Sequence, residues 1–357
     1  MPSSLFQKIK IRDLTIENRV WVSPMCQYSA TNGIVGQWHE IHLGALATGG
    51  AGLIFVEATG VVPEGRISIG CPGIWSDKHA EAFRPAVEFA HSMNRTIGIQ
   101  LAHAGRKGST MRPWDDHLIA DKSEGGWQTV SASPLAFHGM SAPRELSSYE
   151  ISELTDAFVQ GAKRAIEVGF DVIELHAAHG YLFHQFLSPL TNLRVDEYGG
   201  DFDDRTRFLR EVTEKVRASI PTGVPLFVRI SASDWVEGGW DIEQSISLSK
   251  ELRKLGVDLI DVSSGGLVHD AKIPFGPNYQ VPFAAAIKEK AEILTSAVGL
   301  ITEAEQAQEI IDSGKADAVM LAREMLRNPR WPLNAAEQLG VHVGWPDQYR
   351  RASKFYR

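Results

Sequence analysis

Eight short apolar segments, spread along the whole chain, constrain the fold most strongly. They occupy residues 20–24, 53–57, 97–102, 172–176, 226–230, 259–263, 293–296 and 318–322. Because most are continuously apolar rather than alternating, they are typical of parallel strands covered on both faces. Amphipathic segments lie between them at 151–168, 205–219, 242–255 and 303–313, and the helix-ending glycines are Gly169, Gly256 and Gly314. This rhythm predicts an α/β fold, a single (β/α)8 TIM barrel forming one domain over residues 1–357.

The spacing of the segments is uneven. A polar stretch rich in Gly, Pro, Ser and Trp, from about 104 to 144, separates the third and fourth strands. Because long irregular segments are usually functional loops or lids, we expect a pocket-forming excursion after strand three. The final residues, about 340–357, are charged and aromatic, which predicts a C-terminal tail that docks on this barrel or at a subunit interface.

Charge and cysteine content exclude several classes of protein. The formal net charge of −8 provides no basic field for nucleic acid. No apolar run approaches the roughly 18 residues that span a bilayer, and the N-terminus lacks a signal-peptide layout, so we expect a cytoplasmic protein without membrane contact. Cys26 and Cys71 are the only cysteines. Two are too few for a disulfide framework, a four-thiolate zinc site or a four-cysteine iron–sulfur cluster.

Polar residues gather where the predicted strands end. Functional side chains of parallel barrels collect at the C-terminal ends of the strands. The candidates are Ser23, Pro24, Met25 and Cys26 after the first strand, Gln100 and His103 at the third, His176, His179 and Tyr181 at the fourth, and Arg229 in the fifth.

The histidine pair allows three interpretations. His176 and His179 could be zinc ligands, with Glu57 as a third ligand, donors to a substrate oxyanion, or incidental polar residues. Tyr181 adds a hydroxyl group beside them, and this combination suits polarisation of a carbonyl and delivery of a proton.

Other candidates point to a flat, phosphorylated ligand. Arg229 lies in an apolar segment, so it forms either a structural salt bridge or a fixed positive charge that faces a ligand becoming anionic. Gln100 could hydrogen-bond a heteroaromatic edge. Phosphate sites of barrels often form at the last strands, where this chain has Gly265, Gly266, Gly299, Ala322 and Arg323. Flavin mononucleotide (FMN) has both features, a flat heteroaromatic ring that can become anionic and a phosphate group.

These motifs resemble the Old Yellow Enzyme family of flavin-dependent ene-reductases over essentially the whole chain. The resemblance is carried by Ser-Pro-Met-Cys-Gln-Tyr at 23–28, Gln-Leu-Ala-His-Ala-Gly-Arg at 100–106, His-Ala-Ala-His-Gly-Tyr-Leu at 176–182, Asn-Leu-Arg at 192–194 and Asp-Glu-Tyr-Gly-Gly at 196–200. The cysteine in the first motif and the short chain are similar to the bacterial xenobiotic-reductase, or thermophilic-like, subclass.

The resemblance implies a reaction and its cofactors. It implies non-covalent FMN, with NADPH or NADH as hydride donor. Small activated alkenes, namely enones, enals, maleimides and nitroalkenes, would be reduced by ping-pong hydride transfer through flavin N5. The implied flavin contacts are Ser23, Pro24, Met25, Cys26, Ala58, Gln100, Arg229, Ala322 and Arg323.

The resemblance also implies roles at the substrate. His176 and His179 would bind the substrate carbonyl, Tyr181 would donate the proton, Cys26 would tune the flavin, and Tyr28 would line the pocket. Arg351 is similar to an arginine that enters a neighbouring subunit's site, which implies a homodimer or homotetramer. No family role transfers to Cys71.

Two rival functions remain open. One is a zinc-dependent TIM-barrel hydrolase that uses the histidine pair. The other is a catalytically silent flavin-binding protein. Sister flavoproteins that carry an iron–sulfur cluster and further nucleotide-binding domains do not match two cysteines in 357 residues.

Overall fold

The computed structural model of the protein describes residues 4–356. Its strands are β1 (Ile9–Ile11), β2 (Leu14–Ile16), β3 (Val20–Val22), β4 (Leu53–Gly60), β5 (Thr96–Ala102), β6 (Val130–Ser131), β7 (Arg144–Glu145), β8 (Val172–Ala177), β9 (Leu226–Ser231), β10 (Leu259–Ser263), β11 (Leu294–Ala297) and β12 (Ala318–Leu321). A closed parallel barrel has the order β10-β11-β12-β3-β4-β5-β8-β9. Every predicted apolar segment is a barrel strand, so the (β/α)8 prediction is confirmed.

The helices alternate with the barrel strands. They are α1 (Gln37–Ala47), α2 (Asp77–Glu81), α3 (Arg84–Ser92), α4 (Ser148–Val168), α5 (Leu182–Leu187), α6 (Phe202–Ser219), α7 (Ile242–Lys254), α8 (Val281–Ala291), α9 (Ala304–Asp312), α10 (Arg323–Arg327) and α11 (Trp331–Gln338). Helix α4 begins earlier than its apolar periodicity because the Ser147 side chain accepts a hydrogen bond from the Glu150 N–H. It ends at Gly169, which adopts φ +107°.

A hairpin closes the N-terminal end of the barrel. Apolar residues of β1 and β2, including Ile9 and Ile16, form one buried cluster with residues inside the barrel. In that cluster Trp21 stacks on Phe227, with ring centroids 5.9 Å apart. Because large side chains fill this end, a ligand site is left to the opposite, C-terminal end of the strands.

The expected excursion lies between β5 and α4. It contains short 3-10 turns at Gly105–Lys107 and Lys122–Glu124, together with the small strands β6 and β7. Its Trp114 packs edge-on against Tyr28, with ring centroids 5.9 Å apart. The excursion therefore covers the loop that follows β3.

The C-terminal tail packs at the N-terminal end of the barrel strands. Residues 342–348 share a cleft with Asn18, Gly50 and Arg95, which precede β3, β4 and β5. Further along, Tyr349 lies beneath the Arg330 guanidinium at 4.4 Å, and Arg351 is exposed. Arg351 therefore does not join the candidate site of its own chain. Within residues 4–356, no helix is both long and apolar enough to cross a membrane.

Candidate functional site

The end of β8 brings two imidazoles and a phenol together. The ring centroid of His176 lies 5.2 Å from that of His179 and 5.0 Å from that of Tyr181, and both pairs are edge-to-face. Between them, Gly180 adopts φ +73°, and a Cβ there would lie 2.3 Å from the Gly266 carbonyl oxygen. Only glycine fits that approach, so the His-Gly-Tyr order in the sequence has a structural cause.

Burial keeps all three side chains uncharged at neutral pH. Burial, followed by the charge of Arg229, holds the pKa of His176 and of His179 well below the usual range. Burial also raises the pKa of Tyr181 well above its ordinary value. His179 Nε2 lies 2.7 Å from Ser263 Oγ, which orients the ring. The site thus offers neutral imidazoles and a protonated phenol.

Lys107 fixes the loop that carries His179. Its ammonium group donates hydrogen bonds to the carbonyl oxygens of His179 and Gly266, both at 2.8 Å. Burial, helped by the charge of Arg106, lowers the pKa of Lys107 to about 8. Sequence reasoning missed Lys107, although it directly follows the motif at 100–106.

A buried polar network lines the barrel beneath the two histidines and Tyr181. Arg229 Nε lies 2.9 Å from Asp261 Oδ2, so the structural salt bridge considered for Arg229 exists. Gln100 Nε2 donates to Glu174 Oε1 at 2.8 Å. Burial, followed by the charge of Asp261, raises the pKa of Glu174. Glu174 and Asp261 were also missed, although each is a charged residue in an apolar segment, the same signal that identified Arg229.

The loops after β10, β11 and β12 form a cleft of about 280 Å³. Among its lining residues are Ser263, Tyr279, Gly299, Ala322 and Arg323. Gly299 adopts φ +124°, and a Cβ there would lie 2.9 Å from side-chain atoms of both Tyr279 and Gln280. The predicted cluster of Gly299, Ala322 and Arg323 is therefore brought together.

Gly265 and Gly266 are placed differently from this cluster. A Cβ on Gly266 would lie 2.7 Å from the Cα atom of His179. A Cβ on Gly265 would lie 2.9 Å from the Ile273 side chain. Neither glycine lines the cleft of Gly299 and Arg323, so the structure does not bring them together with the rest of the predicted phosphate cluster.

The residues after β3 form the wall next to β4. Ser23 is buried, and its N–H donates to the Leu321 carbonyl at 3.0 Å. Pro24, Met25 and Cys26 are partly exposed. Ala58, in β4, is almost fully buried in a cluster that Cys26 contacts.

Glu57 does not complete a metal site with the two histidines. It lies at a register irregularity between Val56 and Ala58. Its carboxylate accepts a hydrogen bond from the Gln27 N–H at 2.9 Å, and its other oxygen lies 3.2 Å from His39 Nε2. Among the described residues, the cluster of potential ligand atoms that includes Glu57 contains the thiols of Cys26 and Cys71, and not the two histidines. The geometry therefore gives no support to the zinc interpretation of the histidine pair.

The donor set is consistent with FMN. A buried guanidinium suits the part of a flavin that gains negative charge, and an arginine-lined cleft suits its phosphate. Within residues 4–356, Glu174 Oε2 and His176 Nδ1 are buried polar atoms without a hydrogen-bond partner. Buried polar atoms usually have partners, so these two are candidates to meet a polar ligand.

Comparison with known proteins identifies the family. Residues 4–341 match the NADH:flavin oxidoreductase / NADH oxidase family. An NADPH dehydrogenase of Geobacillus sp. (strain WCH70) is 48% identical, with 99% of this chain and 100% of the relative covered. The NADPH dehydrogenase of Bacillus subtilis (strain 168) is 46% identical, with 98% and 99% covered.

Solved structures agree with this result. Morphinone reductase superposes with a TM-score of 0.80 at 27% identity, covering 97% of this chain and 92% of that one. The Old Yellow Enzyme homologue from Zymomonas mobilis gives 0.79 at 29% identity, with 99% of each chain covered. The chain therefore belongs to the NADH:flavin oxidoreductase / NADH oxidase family, as an FMN-dependent NADPH oxidoreductase of the Old Yellow Enzyme type.

Proposed function

We propose that this enzyme reduces the activated C=C bond of enones, enals, maleimides and nitroalkenes, with NADPH or NADH as the hydride donor in a ping-pong cycle. The proposal rests on one observation. Two neutral imidazoles, His176 and His179, stand beside the protonated phenol of Tyr181 at the C-terminal end of the barrel. This arrangement supplies two hydrogen-bond donors for one oxygen and one proton for a neighbouring carbon.

FMN supplies the hydride carrier, through its N5 atom, when it is bound. The residues that we propose to hold it are Ser23, Pro24, Met25, Cys26, Ala58 and Gln100 around the ring, Arg229 at the side of the ring that becomes anionic, and Gly299, Ala322 and Arg323 at the phosphate. The buried position of Arg229 supports its role, because a cation in a low-dielectric site acts strongly on nearby negative charge.

His176 and His179 bind and polarise the substrate oxygen. A neutral imidazole can donate one N–H to a carbonyl or nitro oxygen. Such hydrogen bonds strengthen as negative charge develops on that oxygen, and they therefore stabilise the transition state more than the bound substrate. The hydrogen bond from the His179 N–H to Ser231 Oγ, at 2.9 Å, fixes the backbone beforehand.

Tyr181 donates the proton to Cα of the substrate. Its raised pKa keeps the phenol protonated until a strongly basic carbon forms next to it. Tyr28 and Cys26 pack beside Tyr181 around one small cluster of buried residues, which supports their assignment to the pocket wall.

We further propose that a homodimer or homotetramer completes the site. The tail at about 340–357 would lie at the subunit interface, where Arg351 would reach the substrate pocket of a neighbour. Its exposure at the barrel's opposite end leaves it free to do so.

Anaerobic reoxidation of the NADPH-reduced protein tests the reaction. Mixing with 2-cyclohexenone should restore the oxidised flavin spectrum in the wild type. The His176→Ala/His179→Ala variant should lose this step, while still being reduced by NADPH. His91→Asn is the matched control, since His91 is exposed on α3 and pairs with Asp171.

Other outcomes would contradict the proposal. Reoxidation of the double variant at the parental rate would remove the histidines from the mechanism. A wild-type protein that NADPH reduces and no alkene class reoxidises would refute activated alkenes as the acceptor.

A further inference from the structure

We propose that Cys26 and Cys71 form a dithiol site, which two-electron oxidants such as peroxides convert into an intramolecular disulfide. This chemistry goes beyond the proposed function, and only its effect on the flavin rests on that function. The proposal rests on one observation: the only two cysteines of the chain lie close together in the structure. Their Sγ atoms and a Glu57 oxygen all lie within 4.8 Å of one another.

The backbone is built to bring the two segments together. The Ala30 N–H donates to the Gly70 carbonyl oxygen at 2.8 Å, which ties the segment after Cys26 to the segment before Cys71. A Cβ on Gly70 would lie 2.4 Å from the Tyr28 carbonyl oxygen, so a larger residue would separate the segments. A disulfide requires two sulfurs to approach to about 2.05 Å, and the two Sγ atoms here already lie within 4.8 Å of each other.

The two thiols differ in access. Cys26 is partly exposed, whereas Cys71 is fully buried among Ala58, Ala102 and other apolar side chains. Cys26 is therefore the more accessible of the two thiols. The neighbouring Cys71 thiol, together with burial, raises the pKa of Cys26. Because thiolates rather than thiols react, the pair should stay reduced without added oxidant.

The reaction balances with peroxide as the oxidant. The Cys26 sulfur attacks one oxygen, the O–O bond breaks, and Cys26 becomes a sulfenic acid with loss of one water. The Cys71 sulfur then attacks the Cys26 sulfur, the S–O bond breaks, and a second water leaves as the S–S bond forms. Two thiols lose two electrons and two protons overall, and one peroxide is reduced to two waters.

Buried Cys71 would thus protect Cys26. A single thiol that reaches the sulfenic state proceeds to sulfinic and sulfonic acids, which are not restored by thiols. When a second thiol lies nearby, it reacts with the sulfenic acid before further oxidation, and the product is a disulfide that a dithiol reagent can reduce. Since the proposed function places Cys26 at the flavin, the disulfide would also change the flavin environment reversibly.

Trypsin makes the bond directly visible. The chain has no lysine or arginine between Arg19 and Arg66, and the next one after Arg66 is Lys78. Digestion therefore gives peptides 20–66 and 67–78, with one cysteine in each. The flavin-loaded protein is treated with hydrogen peroxide, unfolded with an alkylating agent present, digested without reductant, and analysed by mass spectrometry.

The wild type should yield the two peptides joined, with a mass lower by two hydrogens than their sum. Dithiothreitol should separate them again and restore the original flavin spectrum. In Cys71→Ser, Cys26 should instead gain oxygen atoms that dithiothreitol does not remove. In Cys26→Ser, Cys71 should stay a free thiol, because its burial excludes the oxidant.

Two results on the wild type would overturn the proposal. One is oxygenation of Cys26 without a joined peptide, and the other is a protein in which both thiols stay reduced. Because both are read on the wild type, misfolding of a variant cannot hide them. Failure of the proposed function would appear separately, as loss of alkene-dependent flavin reoxidation, whereas the joined peptide reports only on the thiols.

Discussion

Arg229 and Asp261 lie opposite each other on β9 and β10, and the distance from Arg229 Nε to Asp261 Oδ2 is 2.9 Å. Both residues are buried, and Ser296 Oγ donates to the other oxygen of Asp261 at 2.8 Å. Asp261 thus partly balances the positive charge of Arg229 before any ligand arrives. At the proposed flavin site, the charge available to stabilise an anionic reduced ring therefore depends on both residues.

Asp261→Asn should make the flavin easier to reduce. Without the carboxylate, the positive charge of Arg229 is no longer partly neutralised. The anionic reduced flavin therefore gains stability, and the midpoint potential of the flavin becomes more positive. Removing one partner of a buried ion pair should also lower the free energy of unfolding by about 3 kcal/mol. A spectroscopic redox titration and urea unfolding measure the two effects.

Asp258→Asn is the matched control for that change. Asp258 lies just before β10, at the opposite end from the site, and pairs with Arg12 at 2.7 Å. Its loss should reduce stability without moving the flavin potential. An unchanged potential in Asp261→Asn would show that this carboxylate carries no charge felt by the flavin.

Lys107→Met should weaken substrate turnover through His179. The variant loses both hydrogen bonds that hold the loop, each worth about 1 kcal/mol, so kcat/KM for 2-cyclohexenone should fall by roughly tenfold or more. Flavin content and NADPH reduction should remain at wild-type levels. Lys122→Met, an exposed lysine of the same excursion, is the control. Equal loss of NADPH reduction in Lys107→Met would indicate general damage instead.

The barrel was predictable because its signals are local. Each apolar segment, and the glycines that end α4 and α7, act on their own neighbours in the chain. Helix starts were less accurate: α4 begins at Ser148 rather than at 151, because a polar cap precedes the apolar periodicity. The motifs also predicted the grouping of His176 with Tyr181, since both lie at the C-terminal end of one strand, β8.

Contacts between distant segments were not predictable in this way. Nothing near Cys71 in the sequence indicates that it meets Cys26, because that contact depends on how two loops cross. The partners of Gln100 and Arg229, namely Glu174 and Asp261, are likewise set by strand order. Charged residues in apolar segments could have indicated both, although not which residue pairs with which.

Gly180→Ala should disrupt the site far more than its backbone angle alone explains. Its φ of +73° is equal to that of Gly314, where nothing lies within 4 Å of an added Cβ. Gly314→Ala should therefore cost about 1 to 2 kcal/mol of strain, with activity retained. Gly180→Ala adds a clash with the Gly266 carbonyl, so it should lose more stability and most enone reduction. Equal unfolding free energies for the two variants would contradict this.

Stability should fall on mild acidification, in part through His103. Burial lowers the pKa of His103 from 6.5 to about 4, and its Nδ1 accepts a hydrogen bond from the Gly105 N–H at 3.0 Å. A histidine whose folded-state pKa is depressed contributes stability that is present above pH 6.5 and is lost as the pH falls towards 4. Linkage between these pKa values gives a loss of about 2 kcal/mol from pH 7 to pH 5.

His103→Asn isolates this contribution to the pH dependence. An asparagine oxygen can accept the same hydrogen bond from the residue two positions later, but it does not titrate. The free energy of unfolding of the variant should therefore fall by about 2 kcal/mol less than that of the wild type between pH 7 and pH 5. Urea unfolding at both pH values measures the difference. Parallel losses in the two proteins would show that His103 does not hold its neutral form in the folded state.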